Sequence, residues 1–142
     1  MEFNLLKDKF TEEQAKFINP LVLALIGDGV YEVFIRTYLV EQNRESNVQK
    51  IHLKAVSYVK AEAQSTYMKQ IVDELTEEEL GVFKRARNTK SNAPKNADVA
   101  NYRWATGFEA LIGYLYILNR MDRLNYILNK IVEVGDNNEG KS

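Results

Sequence analysis

Residues Ile26-Gly27-Asp28-Gly29-Val30-Tyr31-Glu32 place two carboxylates and two glycines inside an otherwise apolar run from Leu21 to Val40. The run opens with Asn19-Pro20, a helix-capping residue followed by a proline at the first helical position. About twenty residues without a turn signal are too many for an ordinary strand, although β-branched and aromatic residues are plentiful. We therefore predict a mostly buried helix from Leu21 to about Val40.

The glycines and acids of this helix both need a structural reason. A glycine inside a helix costs roughly 0.5–1 kcal/mol relative to alanine, so Gly27 and Gly29 indicate the close approach of another helix. Asp28 and Glu32 are four residues apart and share one face of the helix. The first base that follows them is Arg36, and we expect acids on a mostly buried helix to have a cationic partner.

The composition sets limits on the class of protein. A chain of 142 residues with 45% apolar residues forms one domain with one hydrophobic core. The absence of cysteine excludes disulfides, thiolate zinc sites and a cysteine nucleophile. No signal peptide is visible in Met1-Glu2-Phe3-Asn4 and no uncharged apolar run reaches membrane-spanning length, so we expect a cytoplasmic protein without a membrane partner. The net charge of −1 means that any nucleic-acid contact must rest on a local patch.

The fold class predicted from the whole chain is an all-α helical bundle. Further helices follow from capping-box patterns and from apolar residues at helical spacing. Their predicted spans are 11–18, 48–75 as one helix or two joined near Ser57, 76–87, a helix capped by Asp98 or Asn96 that runs to Tyr116, and a last amphipathic helix through Ile131. We expect a domain of residues 1–134 and a frayed polar tail of residues 135–142.

The segment from Lys84 to Arg103 is the only strongly basic part of the chain. It contains six basic residues and one acid, Asp98, so its net charge is +5. Charge alone leaves open whether this is a solvated loop or a phosphate-binding patch. Neutral hydrogen-bond donors in the segment favour the phosphate-binding patch, because contacts with phosphate and sugar use neutral donors as well as basic side chains. These donors are Asn88, Ser91, Asn92, Asn96 and Asn101.

A second acid in an apolar setting is Glu109. Asp28 and Glu109 lie on the two most apolar predicted helices, which must pack together in an all-α domain of this size. Two converging carboxylates suit Mg²⁺, which keeps several waters and needs few protein ligands. Such an ion can activate water and stabilise a leaving oxygen on phosphate. The alternative is that each acid only accepts a hydrogen bond from a tyrosine or an asparagine.

These residues resemble a known enzyme family. The stretch 26–32 resembles the signature helix of ribonuclease III catalytic domains, and Phe108-Glu109-Ala110-Leu111-Ile112-Gly113 resembles their second acidic motif. Shorter matches extend the resemblance, namely Arg85-Ala86-Arg87-Asn88, Lys90-Ser91, Pro94-Lys95-Asn96 and Tyr102-Arg103-Trp104-Ala105-Thr106-Gly107-Phe108. Together they are similar to the short bacterial branch, mini-ribonuclease III, which has the catalytic domain without a double-stranded-RNA-binding domain.

The resemblance implies a function and a set of partners. It implies a homodimer with the ribonuclease III endonuclease-domain fold that cleaves double-stranded RNA with Mg²⁺ and matures the ends of the 23S ribosomal RNA precursor. The assembling large ribosomal subunit or its proteins would be further partners. The alternatives are a non-catalytic double-stranded-RNA or ribosome-binding module of the same fold, and a helical dimerisation protein.

The resemblance also implies the site residues. Asp28 and Glu109 match the catalytic, metal-binding acids of the family. Ala24 and Thr106 stand where the larger enzymes carry two further acids, which leaves the number of bound metal ions open. The basic segment and its neutral donors supply the RNA contacts. The predicted RNA-binding residues are Arg85, Arg87, Asn88, Lys90, Lys95, Tyr102 and Arg103.

Overall fold

The computed structural model describes residues 9–139, and all regular structure in that part of the chain is helical. The α-helices are α1 (Glu12–Phe17), α2 (Pro20–Gln42), α3 (Val48–Val59), α4 (Ala61–Ile71), α5 (Glu77–Asn88), α6 (Val99–Ile117) and α7 (Met121–Glu139), and a 3₁₀ turn, Val72–Glu74, follows α4. The predicted all-α class is confirmed. Met1 to Asn4 and the last three residues of the predicted tail lie outside the described residues.

Side-chain caps begin the helices at the predicted positions. Thr11 and Thr76 each form a complete capping box at the start of α1 and α5. Asn19 caps α2 by accepting a hydrogen bond from a backbone N–H two residues ahead. Of the two candidates for α6, Asp98 is the cap. Asn96 instead has a φ of 73° in the preceding loop, a left-handed conformation that asparagine tolerates better than most residues.

The segment predicted as one helix or two is two helices. The break lies at Lys60 rather than Ser57, and Lys60 has an extended backbone with φ −63° and ψ 152°. The Lys60 N–H still donates to the carbonyl of Val56, at 3.1 Å, so the end of α3 stays hydrogen-bonded. This break turns the chain so that α3 packs on α2 and α4 packs on α6.

The frayed tail predicted from Gly135 is corrected for residues 135–139, where α7 continues. Gly135 is buried, and a Cβ at this position would lie 2.4 Å from the ring of Tyr58. The carboxylate of Asp136 accepts hydrogen bonds from the hydroxyls of Tyr38 and Tyr58. These residues look like a solvated tail in composition, but tertiary contacts with α2 and α3 keep them helical.

Helix α6 lies at the centre of the bundle and packs against α2, α4, α5 and α7. All residues of α6 from 105 to 115 are buried except Glu109, which is half-buried. The rings of Tyr31 on α2 and Phe108 on α6 meet edge to face with centroids 5.0 Å apart. The prediction that the two most apolar helices pack together is confirmed, because α6 packs against α2. Within residues 9–139, no helix is long and apolar enough to cross a membrane.

Candidate active site

Helices α2 and α6 touch backbone to backbone at two glycines. A Cβ on Gly27 would lie 1.6 Å from the carbonyl oxygen of Glu109, and one on Gly113 would lie 2.1 Å from the carbonyl oxygen of Leu23. Any larger residue at either position would push the helices apart. The predicted close approach of another helix is therefore confirmed at Gly27, whereas nothing in residues 9–139 comes within 4 Å of a Cβ added at Gly29.

This contact brings Asp28 and Glu109 together, and we call them the carboxyl pair. Both residues are half-buried. Burial raises the pKa of Glu109 to about 9, and the hydrogen bond and negative charge of Asp28 and the charge of Glu32 act on this pKa in the same direction. Without a cation the Glu109 carboxyl group is therefore protonated at neutral pH.

The donor set of the pair fits a hard divalent ion with few protein ligands. Among residues 9–139 there is no cluster of three or more histidines, cysteines or acids suited to a metal. Ala24 and Thr106 are both buried, and the Thr106 hydroxyl donates to the carbonyl of Tyr102 at 2.9 Å. Two facing carboxylates offer hard oxygen ligands and leave the remaining positions to water or phosphate, which is how Mg²⁺ is commonly held.

Glu32 lies one turn after Asp28 and has the cationic partner that the sequence led us to expect. Its carboxylate pairs with Arg36 at 3.2 Å. Asp28 has no such ion pair among the described residues; its side chain is instead hydrogen-bonded to Glu109. Of the two acids in residues 26–32, Glu32 is thus neutralised by a base, and Asp28 faces a second carboxyl group.

The basic segment, residues 84–103, spans the end of α5, the loop 89–98 and the first turns of α6. Its six bases are exposed, except Arg87, which is half-buried. None of the six pairs with a carboxylate from the part of the chain that the structure describes. The only acid of the segment, Asp98, caps α6 by accepting from the Asn101 N–H at 2.9 Å. The positive charge of the segment is therefore not balanced locally.

Helix α6 connects the basic segment to the carboxyl pair. Tyr102 is seven residues before Glu109, which places both on one face of α6 about 10 Å apart along the axis. Arg103 is six residues before Glu109, about 9 Å along the axis but on a different face. Asn88 ends α5 and accepts a hydrogen bond from Arg87 Nε at 3.2 Å. The predicted RNA-binding residues of α6 thus lie within about 10 Å of Glu109 along the helix axis.

Two further residues, Lys69 and Trp104, lie beside the basic segment, and nothing in the sequence singled them out. The Nζ atom of Lys69 on α4 lies 5.4 Å from the ring centroid of Trp104, and Trp104 packs on Phe83 with centroids 4.9 Å apart. Lys69 is far from the segment in sequence, and Trp104 looks like one more apolar residue of a buried helix. Only the packing of α4 and α5 against α6 places them there.

Comparisons of the sequence with a family model and with known proteins all indicate the same family. The family model of the ribonuclease III domain matches residues 21–120. The chain is 50% identical over 141 residues to a mini-ribonuclease 3 of Clostridium tetani, covering 96% of this chain and 93% of the relative. It is 49% identical over 125 residues to a mini-ribonuclease 3 of a Thermoanaerobacter species, covering 87% of each. A crystal structure of a Fusobacterium nucleatum protein matches with a TM-score of 0.75 and 31% identity, over 83% of this chain and 94% of that one.

The match of the ribonuclease III domain model to residues 21–120, together with the two relatives, makes this helical domain an endoribonuclease of the ribonuclease III type. The chain belongs to the ribonuclease III domain family and, within it, to the mini-ribonuclease 3 branch. The resemblance seen in the sequence and the enzyme class that it implies are therefore confirmed.

Proposed function

We propose that this endoribonuclease cleaves double-stranded RNA, that Asp28 and Glu109 hold the Mg²⁺ it uses, and that its natural substrate is the paired stem at the ends of the 23S ribosomal RNA precursor. The observation that carries this proposal is the carboxyl pair on α2 and α6, with an unbalanced basic segment reaching the same helix α6. An acidic pair is suited to a metal ion, and the bases beside it are suited to the phosphates of a nucleic acid.

The residues of the site have separable tasks. Mg²⁺ at this site would supply the positive charge that activates water and stabilises a leaving oxygen on phosphate. Asp28 and Glu109 would bind the ion through carboxylate oxygens, and the proton on Glu109 would have to leave when the ion binds. The backbone contact at Gly27 fixes the spacing of the two carboxylates before any ligand arrives, so the site is preorganised.

The basic segment explains how a protein of this size grips duplex RNA. The major groove of double-helical RNA is deep and narrow, so a protein mainly contacts phosphates and 2′-hydroxyl groups. Arginine and lysine side chains of residues 84–103 bind phosphates, while Asn88 and Tyr102 offer neutral donors for sugar and phosphate oxygens. Such a surface reads the shape of the duplex and little of its sequence.

We also propose a homodimer, because α2 has an exposed apolar face. Its members are Val22, Leu25, Gly29, Val33 and Val40, which helical spacing places within an arc of roughly 80° that also contains the exposed Arg36. Gly29 lies in the middle of this face with open space around it, so the backbone of a second copy can approach closely. A two-fold dimer presents two equivalent sites to one duplex.

We propose that the reaction takes place in the cytoplasm, on the assembling large ribosomal subunit. Ribosomal RNA precursors are found there, and proteins bound to the precursor would fix which stem is presented. A surface with little sequence readout needs this help to select one stem among many.

The proposed function is tested with a labelled RNA duplex, incubated with the protein in Mg²⁺ or in chelator. We expect cleavage in Mg²⁺ alone. Asp28→Asn should keep the fold and the binding of duplex but lose more than about 100-fold in cleavage rate, because an amide lacks the negative charge that holds the ion. The matched control is Glu41→Gln, which changes an exposed acid on the same helix and should cleave normally.

The other outcomes of this experiment separate the alternatives. Binding without cleavage in Mg²⁺ would favour a non-catalytic RNA-binding module, and neither binding nor cleavage would favour a helical dimerisation protein. Normal turnover by Asp28→Asn would remove Asp28 from the site. Glu109→Gln should behave like Asp28→Asn.

A further inference from the structure

An open cavity of about 400 Å³ lies between the end of α5 and the first turns of α6. Its lining residues are Arg87, Asn88, Val99, Ala100, Arg103 and Trp104. The lining combines two guanidinium groups and one amide with apolar surface. A volume of this size lies in the range of pockets that hold small ligands.

Three elements hold the apolar side of the cavity in place. Trp104 packs on Phe83 of α5, and the Lys69 Nζ of α4 lies 5.4 Å from its ring centroid. The guanidinium of Arg87 lies 5.3 Å from the ring centroid of Phe83 and 5.7 Å from that of Trp104. A cation over an aromatic face is attracted to the ring by about 0.5–1 kcal/mol or more. The indole and the Arg87 guanidinium are therefore preorganised.

The polar side of the cavity carries unbalanced positive charge. Arg87 donates from Nε to Asn88 Oδ1 at 3.2 Å, and neither Arg87 nor Arg103 forms an ion pair within residues 9–139. Beside them Val99 is 52% exposed, although it is an apolar residue in the first turn of a central helix. A ligand that fits both sides has an anionic group and a carbon-rich group next to each other, as a phosphate and a ribose are in RNA.

We propose that this cavity binds one nucleotide of the RNA substrate, with a phosphate between Arg87 and Arg103 and the ribose against Val99 and the edge of Trp104. This inference rests on the proposed function and adds Val99 and Trp104 to the RNA-contacting surface. Arg103 is about 9 Å along α6 from Glu109, so the bound nucleotide is one that positions the duplex, not the one that is cut. Free phosphate and a free nucleotide carry the same phosphate group as the duplex, so the experiment compares the duplex with both of these free ligands.

Trp104 is the only tryptophan of the chain, so its fluorescence reports on the cavity directly. The protein in chelator is titrated with a short blunt-ended RNA duplex, and tryptophan emission is recorded beside the anisotropy of a labelled duplex. We expect a saturable change in emission with the same midpoint as the anisotropy change. AMP or inorganic phosphate at similar concentrations should leave the emission unchanged, because the rest of the duplex supplies most of the affinity.

Two variants test the assignment of the phosphate. Arg103→Gln removes one side of the proposed phosphate clamp at an exposed position. It should weaken duplex binding about tenfold, since a charge-assisted hydrogen bond is removed, and at saturating duplex it should reduce the emission change. Lys95→Gln is the matched control: it removes one positive charge from the loop but not from the cavity. It should also weaken binding, yet at saturating duplex it should give the full emission change.

Other results would overturn the inference. A duplex that binds and is cleaved in Mg²⁺ while Trp104 emission stays constant would leave the proposed function intact and remove this subsite. Saturation by AMP or phosphate at the concentration of the duplex would assign the cavity to a free ligand instead. No anisotropy change with any duplex would contradict the proposed function itself, and this inference would fail with it.

Discussion

Glu109 is the residue at which folding and chemistry conflict. Its carboxyl group is held beside Asp28 in a half-buried position, where burial raises its pKa to about 9. A raised pKa in the folded state means that ionising this group costs stability at neutral pH. A cation bound at the proposed metal site would offset that cost.

This cost predicts how stability depends on pH in chelator. The pKa of Glu109 is about 9 in the folded protein and ordinarily 4.5. The contribution of Glu109 to the free energy of unfolding is therefore complete below about pH 4.5 and is lost as the pH rises towards 9. Glu109→Gln cannot ionise and escapes this effect. Its Tm should therefore exceed that of the unaltered protein by an amount that grows between pH 5 and 9, to on the order of several degrees.

Two controls complete this measurement. Glu41→Gln should show a Tm difference that does not grow with pH, since Glu41 is exposed. Added Mg²⁺ should raise the Tm of the unaltered protein and not that of Glu109→Gln, because an ion that binds only the folded state stabilises it. A Tm difference for Glu109→Gln that is constant across this pH range would contradict the raised pKa of Glu109.

Single residues were predictable where their chemistry conflicts with their surroundings. Asp28 and Glu109 stand out because charged groups in apolar runs need a reason. Gly27 and Gly29 looked equivalent, yet only Gly27 meets α6. The difference depends on which face of α2 points inward, and a glycine carries no polarity that would reveal its face.

At the scale of elements, an ion pair fastens the start of α5 to α7. Glu79 is 2% exposed, and Arg123 donates to it from Nε at 2.8 Å and from Nη2 at 3.0 Å. The same Nη2 donates to the carbonyl of Glu74 at 2.7 Å. In the sequence Glu79 is visible only as the N3 residue of a capping box. The Glu79 carboxylate is buried, so removing Arg123 leaves an uncompensated charge.

We expect Arg123→Met to lower the free energy of unfolding by roughly 3–5 kcal/mol. Denaturant unfolding monitored by circular dichroism measures the change. The control is Arg36→Met, which breaks the exposed pair with Glu32 and should cost less than about 1 kcal/mol. Adding Glu79→Gln to Arg123→Met should recover part of the stability. Equal decreases in Arg123→Met and Arg36→Met would show that Glu79 keeps its solvation without Arg123.

The basic segment is the element that we expect to separate RNA binding from catalysis. A loop variant carries alanine at Arg85, Arg87, Lys90 and Lys95. It should bind duplex more weakly, and its log–log salt slope should be flatter by roughly 0.7–0.9 for each phosphate that the protein no longer neutralises. Its cleavage rate at saturating RNA should fall much less, whereas Asp28→Asn should bind duplex and fail to cleave it. Filter binding across a series of salt concentrations measures the affinity and the slope.

A charge-matched variant controls for net charge. It carries alanine at Lys16, Arg44, Lys50 and Lys60, four exposed bases outside the segment. Its salt slope should stay close to that of the unaltered protein. If instead the loop variant keeps its affinity and slope, residues 84–103 are a solvated loop and the duplex lies on another surface.

Element boundaries were predictable where a local signal ends or begins a helix. The caps at Thr11, Asn19 and Thr76 are local chemistry, and the structure begins helices there. The break at Lys60 has no glycine or proline to mark it, and it is made possible by packing on either side. The last turns of α7 are held by contacts with Tyr58, which is remote in sequence.

At the scale of the whole molecule, the charge is unevenly distributed. The chain has a net charge of −1 while the basic segment carries +5, so the remainder is net negative. A duplex is therefore attracted to one surface and repelled from the others, which orients it as it approaches. In a two-fold dimer this orientation would apply to both copies at once. The sequence could show the charge of the segment, but not that its bases are free of ion pairs in residues 9–139.

The apolar face of α2 carries the proposed assembly. Gly27 and Gly29 were both expected to meet another helix, and Gly27 packs against α6 of its own chain. Leu25, 73% exposed, and Gly29 point away from α6 instead. A leucine so exposed on a long helix, with valines above and below it, is typical of a contact with another protein chain.

We therefore expect the protein in solution to have the mass of a dimer, and Leu25→Arg to have that of a monomer, because a two-fold contact would bury two like charges in one interface. Size-exclusion chromatography with light scattering measures the mass. Val48→Arg places the same charge on an apolar residue that is 83% exposed on α3, and it should remain a dimer. A monomeric mass for the unaltered protein under conditions where it cleaves duplex would contradict the assembly. If both variants are monomeric, the interface is not confined to the α2 face.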